Sequence, residues 1–195
     1  MKKIILVSLT ILLCINLKSY SNEEEFNKYL DKSRNSSKKL LGTLKKTLEE
    51  NLKAGDTLKA INVCSNIAQN IADKISNDEK IYIKRVSLKY RNLKNKPDNF
   101  EKEKLEIFEK MKKENKLKPN TEIFQNVIEN NKKYFRYMKP IIANKTCLQC
   151  HGNETQIKPS VMNFLKSKYP NDLAINHKDG DIRGAVSIKI DLNNE

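Results

Sequence analysis

Residues 121–139, TEIFQNVIENNKKYFRYMK, contain two runs in which apolar and polar side chains alternate on either side of Asn130-Asn131. This alternation predicts one strand over Thr121–Glu129 and a second over Lys132–Lys139. Asparagine tolerates positive φ values, so the paired asparagines predict a tight turn and an antiparallel hairpin. Pro140 is expected to end the second strand, because proline donates no backbone hydrogen bond.

Long helical patterns precede this hairpin. Apolar residues recur at helical spacing from Asn22 to about Lys53 and again from Leu58 to Ile75, where Cys64 lies on the apolar face. Helices before a mainly antiparallel sheet predict an α+β fold with long N-terminal helices. The other expected elements are a strand over 80–90, a helix from 97–99 to 113, a short helix over 160–168 and a last strand over 185–191.

The net charge of +14 raises the question of nucleic-acid binding. Only five of the 38 basic residues are arginine, which is the side chain suited to bidentate contacts with phosphates and bases. The lysines are scattered among acidic and amide residues, a pattern typical of solvated helix faces. We therefore expect no nucleic-acid partner. A positive surface still favours acidic protein partners or an anionic membrane surface.

Residues 1–21 have the layout of a secretory signal peptide. Lys2 and Lys3 precede an apolar or small-residue run over 4–17, and Ser19-Tyr20-Ser21 supplies small residues for cleavage. The run is shorter than the ~17–25 residues of a membrane span, so an uncleaved anchor is the less favoured alternative. We expect a periplasmic protein whose single domain covers 22–195 and which meets the membrane only if this segment is retained.

The motif that carries chemistry is Cys147-Leu148-Gln149-Cys150-His151. CxxCH is the attachment signature of c-type haem. Two cysteines three residues apart lie on one side of a helical turn, and the adjacent histidine can serve as the proximal iron ligand. A zinc site would need further ligands, and a redox dithiol normally follows a strand of a parallel sheet. The motif therefore predicts one covalent haem c on Cys147 and Cys150, with His151 on the iron.

The residues alone leave the second axial ligand of the iron open. Each methionine is more often core filler than a ligand, and a buried cysteine is more often inert packing. The candidates in the mature chain are Met111, Met138, Met162, His177 and Cys64, or an open position.

Several sequence blocks resemble the haem-c-binding PAS-like sensor domains, a family formerly known only as a domain of unknown function. The similarity extends over residues 40–191. Its blocks, in chain order, are residues 60–64 with 68–72, 85–92 with 95–98, 134–140, 147–152, 169–170 and 180–185.

The resemblance implies a PAS-like antiparallel sheet, a long N-terminal helix and haem at one edge. It also implies that the iron is ligated by His151 and, as in a studied member, by a cysteine of the second helix, here Cys64. Asn176-His177 departs from the family's Gly-Tyr, so His177 remains a competing ligand. The expected partners of the haem propionates are Arg85, Arg91, Arg136 and Arg183.

These observations predict an exported monohaem protein that senses redox state or a diatomic gas, or carries single electrons. Its expected partner is a redox or signalling protein in the periplasm, and the oligomeric state stays open, with the N-terminal helix as a surface for dimerisation. The alternative is a cytochrome c′-like helical bundle with an open iron site. An enzyme is not favoured, because it would need a distal acid-base pair and His177 is the only further histidine.

Overall fold

The computed structural model describes the backbone of residues 2–55 and 57–193 and the side chains of residues 23–55 and 59–193. A π-helical segment, Val63–Ile67, joins the second helix to the third. The helices are α1 (Lys2–Lys53), α2 (Thr57–Asn62), α3 (Ala68–Glu79), α4 (Asn99–Lys113), α5 (Lys145–His151) and α6 (Pro159–Lys168), and the strands are β1 (Tyr82–Val86), β2 (Ile123–Glu129), β3 (Lys132–Ile142) and β4 (Ile182–Asp191).

The predicted hairpin is confirmed as β2 and β3. Asn130 and Asn131 both have positive φ, 51° and 62°, which is the conformation of a two-residue hairpin turn. Pro140 does not end the second strand, because β3 continues to Ile142. Pairing with β2 stops at Met138, so Pro140 has a partner strand, β4, on one side only. A position of this kind tolerates a residue without an N–H.

The sheet is antiparallel, with strand order β1-β4-β3-β2. Alternate residues of each strand face opposite sides, and both sides are covered. Phe135 and Tyr137 pack in the core formed with α1 and α3, whereas Met138 packs with Leu105 and Phe108 of α4. The α+β prediction with a PAS-like antiparallel sheet is thus confirmed, and the alternative of a helical bundle is wrong.

Helix α1 packs along the sheet through apolar residues at helical spacing, among them Leu30, Leu40 and Leu44. It begins at Lys2, well before the predicted Asn22. The predicted signal peptide lies in the region whose side chains fall outside the described residues, and it stays a prediction. Among the described residues, no helix combines the length and apolar character needed to cross a membrane.

Helix α4 is fixed by a capping box and by buried charges. The side chain of Asp98 accepts from the Glu101 backbone N–H at 2.8 Å, and Glu101 returns a bond to the Asp98 N–H. Asp98 also pairs with the buried guanidinium of Arg136, which binds Glu129 as well. Burial raises the pKa of Asp98, but these bonds outweigh it, so the net shift is downward.

Gly184 of β4 packs against the backbone of β1. A Cβ at this position would lie 2.2 Å from the carbonyl oxygen of Val86. We expect Gly184→Ala to lower the free energy of unfolding by about 1–3 kcal/mol, measured by urea denaturation, because one of two paired strands must shift. Gly42→Ala is the control: Gly42 is exposed on α1 with nothing within 4 Å of its Cβ position. The free energy of unfolding of the control should rise by about 0.5–1 kcal/mol. An equal decrease in both variants would contradict the prediction.

Candidate functional site

One cavity of about 360 Å³ lies at the end of the sheet, between α1, the π-helical segment and α5. This volume falls within the range of ligand-binding pockets. Its apolar wall comes largely from one stripe of α1, and Ala60, Ile61 and Ile141 extend that wall. The contributing residues of the stripe are Leu41, Leu44, Leu48 and Leu52.

The CxxCH motif forms α5 and borders this cavity. Cys147, Cys150 and His151 all line it, as the spacing of the motif predicts for one side of a helical turn. Asn144 is the N-cap: its Oδ1 accepts from the Cys147 backbone N–H at 3.1 Å and from the Cys147 Sγ at 3.3 Å. One amide side chain therefore both starts the helix and holds the first thiol.

His151 is buried, and its ring is held in one tautomer. Its Nδ1 lies 2.7 Å from the carbonyl oxygen of Ala174. A carbonyl can only accept, so Nδ1 carries the proton. Burial, followed by Arg183 and Arg91, holds the pKa of His151 well below its usual value, so the ring is neutral at pH 7. The lone pair is consequently on Nε2, as a metal-ligating imidazole requires.

Cys64 lines the same cavity from the π-helical segment. The Ala68 N–H donates to the carbonyl of Val63, the i to i−5 bond that defines a π-helix. π-Helical turns inside α-helices occur often at functional sites. Cys64 is half-buried, not fully enclosed in the core as its place on the apolar face suggested. The structure thus brings together Cys64, Cys147, Cys150 and His151, the four residues selected from the sequence.

The cavity carries two positive charges that no carboxylate of the described residues neutralises. Arg85 donates to the Cys64 carbonyl at 2.8 Å, and Arg183 donates to Ser87 Oγ at 3.1 Å. Neither guanidinium pairs with a carboxylate within the described parts of the chain. Burial, then Arg91 and Arg85, lower the pKa of Arg183 to about 10, so it stays charged at neutral pH. Buried charges need partners, so the guanidiniums of Arg85 and Arg183 would bind an anionic group of a ligand.

The donor set fits a haem with two thioether bonds. Two thiols and an unprotonated imidazole nitrogen face an apolar cavity, which suits a macrocycle with an iron at its centre. Burial, then Cys64, raise the pKa of Cys150 to about 11, so without a cofactor this group is a thiol at pH 7. The described residues contain no cluster of three or more His, Cys, Asp or Glu that could hold a free metal ion.

The competing iron ligands do not line this cavity. Met138 and Met162 are buried in two other apolar clusters, and Met111 packs against the first of these. His177 packs against His151 with ring centroids 6.2 Å apart, but it borders a separate cavity. The Nε2 of His177 is buried and has no hydrogen-bond partner among the residues that the structure describes.

Two of the four expected propionate partners are engaged elsewhere. Arg136 lies under α4 with Asp98 and Glu129 and does not reach the cavity. Arg91 lines the cavity but pairs with Asp172 at 2.8 Å. The prediction is wrong for Arg136, whereas Arg85 and Arg183 keep the expected position.

Some residues of the site were missed from the sequence. Asn144 could have been found, because an asparagine three residues before Cys147 is a typical N-cap. The carbonyl of Ala174 could not, since any residue supplies a backbone carbonyl. The apolar stripe of α1 was recognised as a helix face, but its spacing does not say what it covers.

Asn144 should be needed for the stability of α5. We expect Asn144→Ala to lower the free energy of unfolding by about 1 kcal/mol, because the Cys147 N–H loses its side-chain acceptor. Asn144→Ser keeps an acceptor and should recover most of the loss. Chemical denaturation of the three proteins provides the measurement, and an alanine variant as stable as the parent would rule out the cap.

Comparison with known proteins identifies the family. The sequence model of the Tll0287-like family matches residues 18–191. Among solved structures, the crystal structure of the cyanobacterial haem-protein Tll0287 superimposes with a TM-score of 0.63 at 23% identity, covering 88% of this chain and 98% of that chain. No curated protein matches. The structural match shows a shared fold, and the family match confirms the resemblance seen in the sequence blocks. Because that match extends over most of its length, the chain belongs to the Tll0287-like family.

Proposed function

We propose that this chain is an exported monohaem protein that senses redox state or a diatomic gas, or carries single electrons. One haem c would be attached to Cys147 and Cys150, with His151 as proximal ligand and Cys64 as distal ligand. The observation that carries the proposal is the convergence of these four side chains on one apolar cavity. Tll0287, which has the same fold, is a haem-protein, and this adds support.

Each residue has a definite part in this proposal. The bound iron would supply one-electron chemistry between its ferric and ferrous states. His151 presents Nε2 because Ala174 holds its proton on Nδ1. Cys64 would contribute an anionic thiolate, which favours ferric iron. Arg85 and Arg183 would balance the negative charges of the thiolate and the propionates.

The position of Cys64 favours a sensor. The π-helical segment is continuous with α2 and α3, and α3 packs against α1 through Ala72 and Ile75. A change in the bond to Cys64 would therefore act on a helix that touches the longest element of the fold. Residues 1–21 support export, and the proposed partner is a redox or signalling protein of the periplasm.

Covalent attachment is tested by haem staining of denatured protein from cells with c-type maturation. We expect a stained band and one haem per chain by mass spectrometry. Cys147→Ser/Cys150→Ser should abolish the stain, because both thioether bonds are lost. An unstained parent protein, produced beside a cytochrome that does stain, would reject the proposed function.

Ligation by Cys64 is tested by ultraviolet-visible and EPR spectra of the ferric protein. We expect Cys64→Ala to abolish the thiolate-ligated low-spin signal, because the variant has no sulfur at this position. Ser65→Ala is a matched control, since Ser65 lies in the same π-helical segment and lines the same cavity. Identical spectra for Cys64→Ala and the parent would assign the distal position to another group.

The guanidiniums of Arg85 and Arg183 should tune the reduction potential of the haem iron. Positive charge favours the ferrous state, so we expect Arg183→Met to lower the midpoint potential. The shift should correspond to roughly 1 kcal/mol, the order of magnitude for a unit charge that acts through a partly screened protein interior. Arg34→Met removes an exposed arginine of α1 that pairs with Glu122, and this variant should leave the potential unchanged. Equal shifts in both variants would show that Arg183 acts only through net charge.

A further inference from the structure

Arg91 borders the cavity, but its guanidinium is hydrogen-bonded to other protein groups next to His151. Its Nη2 donates to the carbonyl of Cys150 at 2.6 Å, and its Nε donates to Asp172 Oδ2 at 2.8 Å. A longer contact of 3.4 Å joins the same Nη2 to the carbonyl of Ala174. One guanidinium thereby connects the end of α5 to a loop more than twenty residues further along the chain.

That loop, residues 172–177, supports the imidazole of His151. The second carboxylate oxygen of Asp172 accepts from the Ala174 N–H at 2.8 Å, and the Ala174 carbonyl accepts from His151 Nδ1. The loop also donates from its backbone to the end of α5, since the His177 and Asn176 N–H groups bind the carbonyls of His151 and of the following Gly152 at 2.9 Å each. Asp172 therefore fixes the peptide that bonds the ring.

The ion pair between Arg91 and Asp172 is largely shielded from water. The two side chains are 10% and 11% exposed. A buried pair of this kind gives little net stability, because desolvation offsets the attraction, but it defines geometry. Arginine suits this role because its planar fork holds several oxygens in a fixed geometry, whereas the ammonium of lysine is a single point of attachment on a flexible stem.

We propose that Arg91 and Asp172 form a positioning pair that fixes the hydrogen-bond acceptor of His151 and thereby sets how strongly His151 donates to the haem iron. The proposal rests on the proposed function of His151 as proximal ligand. A firm acceptor on Nδ1–H makes the imidazole a stronger base toward a metal. Stronger donation favours the ferric state, so loosening the pair should raise the midpoint potential.

The test compares Arg91→Lys and Asp172→Asn with the parent holoprotein. We expect both to raise the midpoint potential and to lower the iron–histidine stretching frequency in resonance Raman spectra of the ferrous protein, recorded in a Cys64→Ala background. The lysine variant keeps both charges, so its shift isolates geometry. Asp172→Asn also removes a negative charge and should shift further, by about a tenfold change in the redox equilibrium, or about 59 mV for one electron.

Asp98→Asn is the matched control. Asp98 forms a 2.8 Å ion pair with the buried Arg136, under α4 and away from the cavity. This variant should lose stability in thermal unfolding while keeping the potential and the stretching frequency of the parent. If Arg91→Lys behaves like the control, the pair is merely structural, and the proposal is overturned.

The remaining outcomes are also decisive. A shift in Asp172→Asn with none in Arg91→Lys would show that only the charge of Asp172 matters, and this too overturns positioning. Haem staining of the parent distinguishes failure of the proposed function from failure of this inference. A parent without haem rejects both. A stained parent whose variants show no shift in potential rejects this inference alone.

Discussion

A 2.7 Å hydrogen bond joins Nδ1 of His151 to the carbonyl of Ala174, and the cavity is arranged around it. The bond places the proton on one ring nitrogen and leaves the other free to face the cavity. It also requires that the 172–177 loop lie against the end of α5, which backbone bonds from Asn176 and His177 reinforce. The His151 side of the cavity is therefore built from main-chain groups, which the side chains of Arg91 and Asp172 hold in position.

Charge is distributed differently in the interior and on the surface. Lysine supplies most of the +14 net charge and is mostly exposed, whereas three of the five arginines line the cavity. Arg91 has a carboxylate partner and acts within the protein, while Arg85 and Arg183 have none among the described residues and face the cavity. Apart from the exposed Arg34, arginine is thus used at sheltered sites that need a fork of donors.

Much of the fold and the central site residues could be predicted from the sequence. Asn130-Asn131 indicates the turn of the hairpin, and the spacing of CxxCH indicates the helical turn that forms α5. Pro140 was misjudged because its effect depends on which neighbouring strand is still paired at that point. Arg136 was misassigned because an arginine in a strand can face either side of a sheet, and its register places it under α4. The Arg91–Asp172 pair joins distant segments, so no local pattern could indicate it.

The π-helical segment has a consequence for the position of Cys64 at the cavity. A helix that absorbs one additional residue without moving either flank bulges at the insertion point. Helices α2 and α3 can therefore both pack on α1 although the segment between them departs from regular α-helix. Removing a single residue from 63–67 would restore a regular helix and turn one flank by roughly 100° relative to the other, the rotation of one residue at 3.6 per turn. The position of Cys64 at the cavity thus depends on the number of residues in this segment.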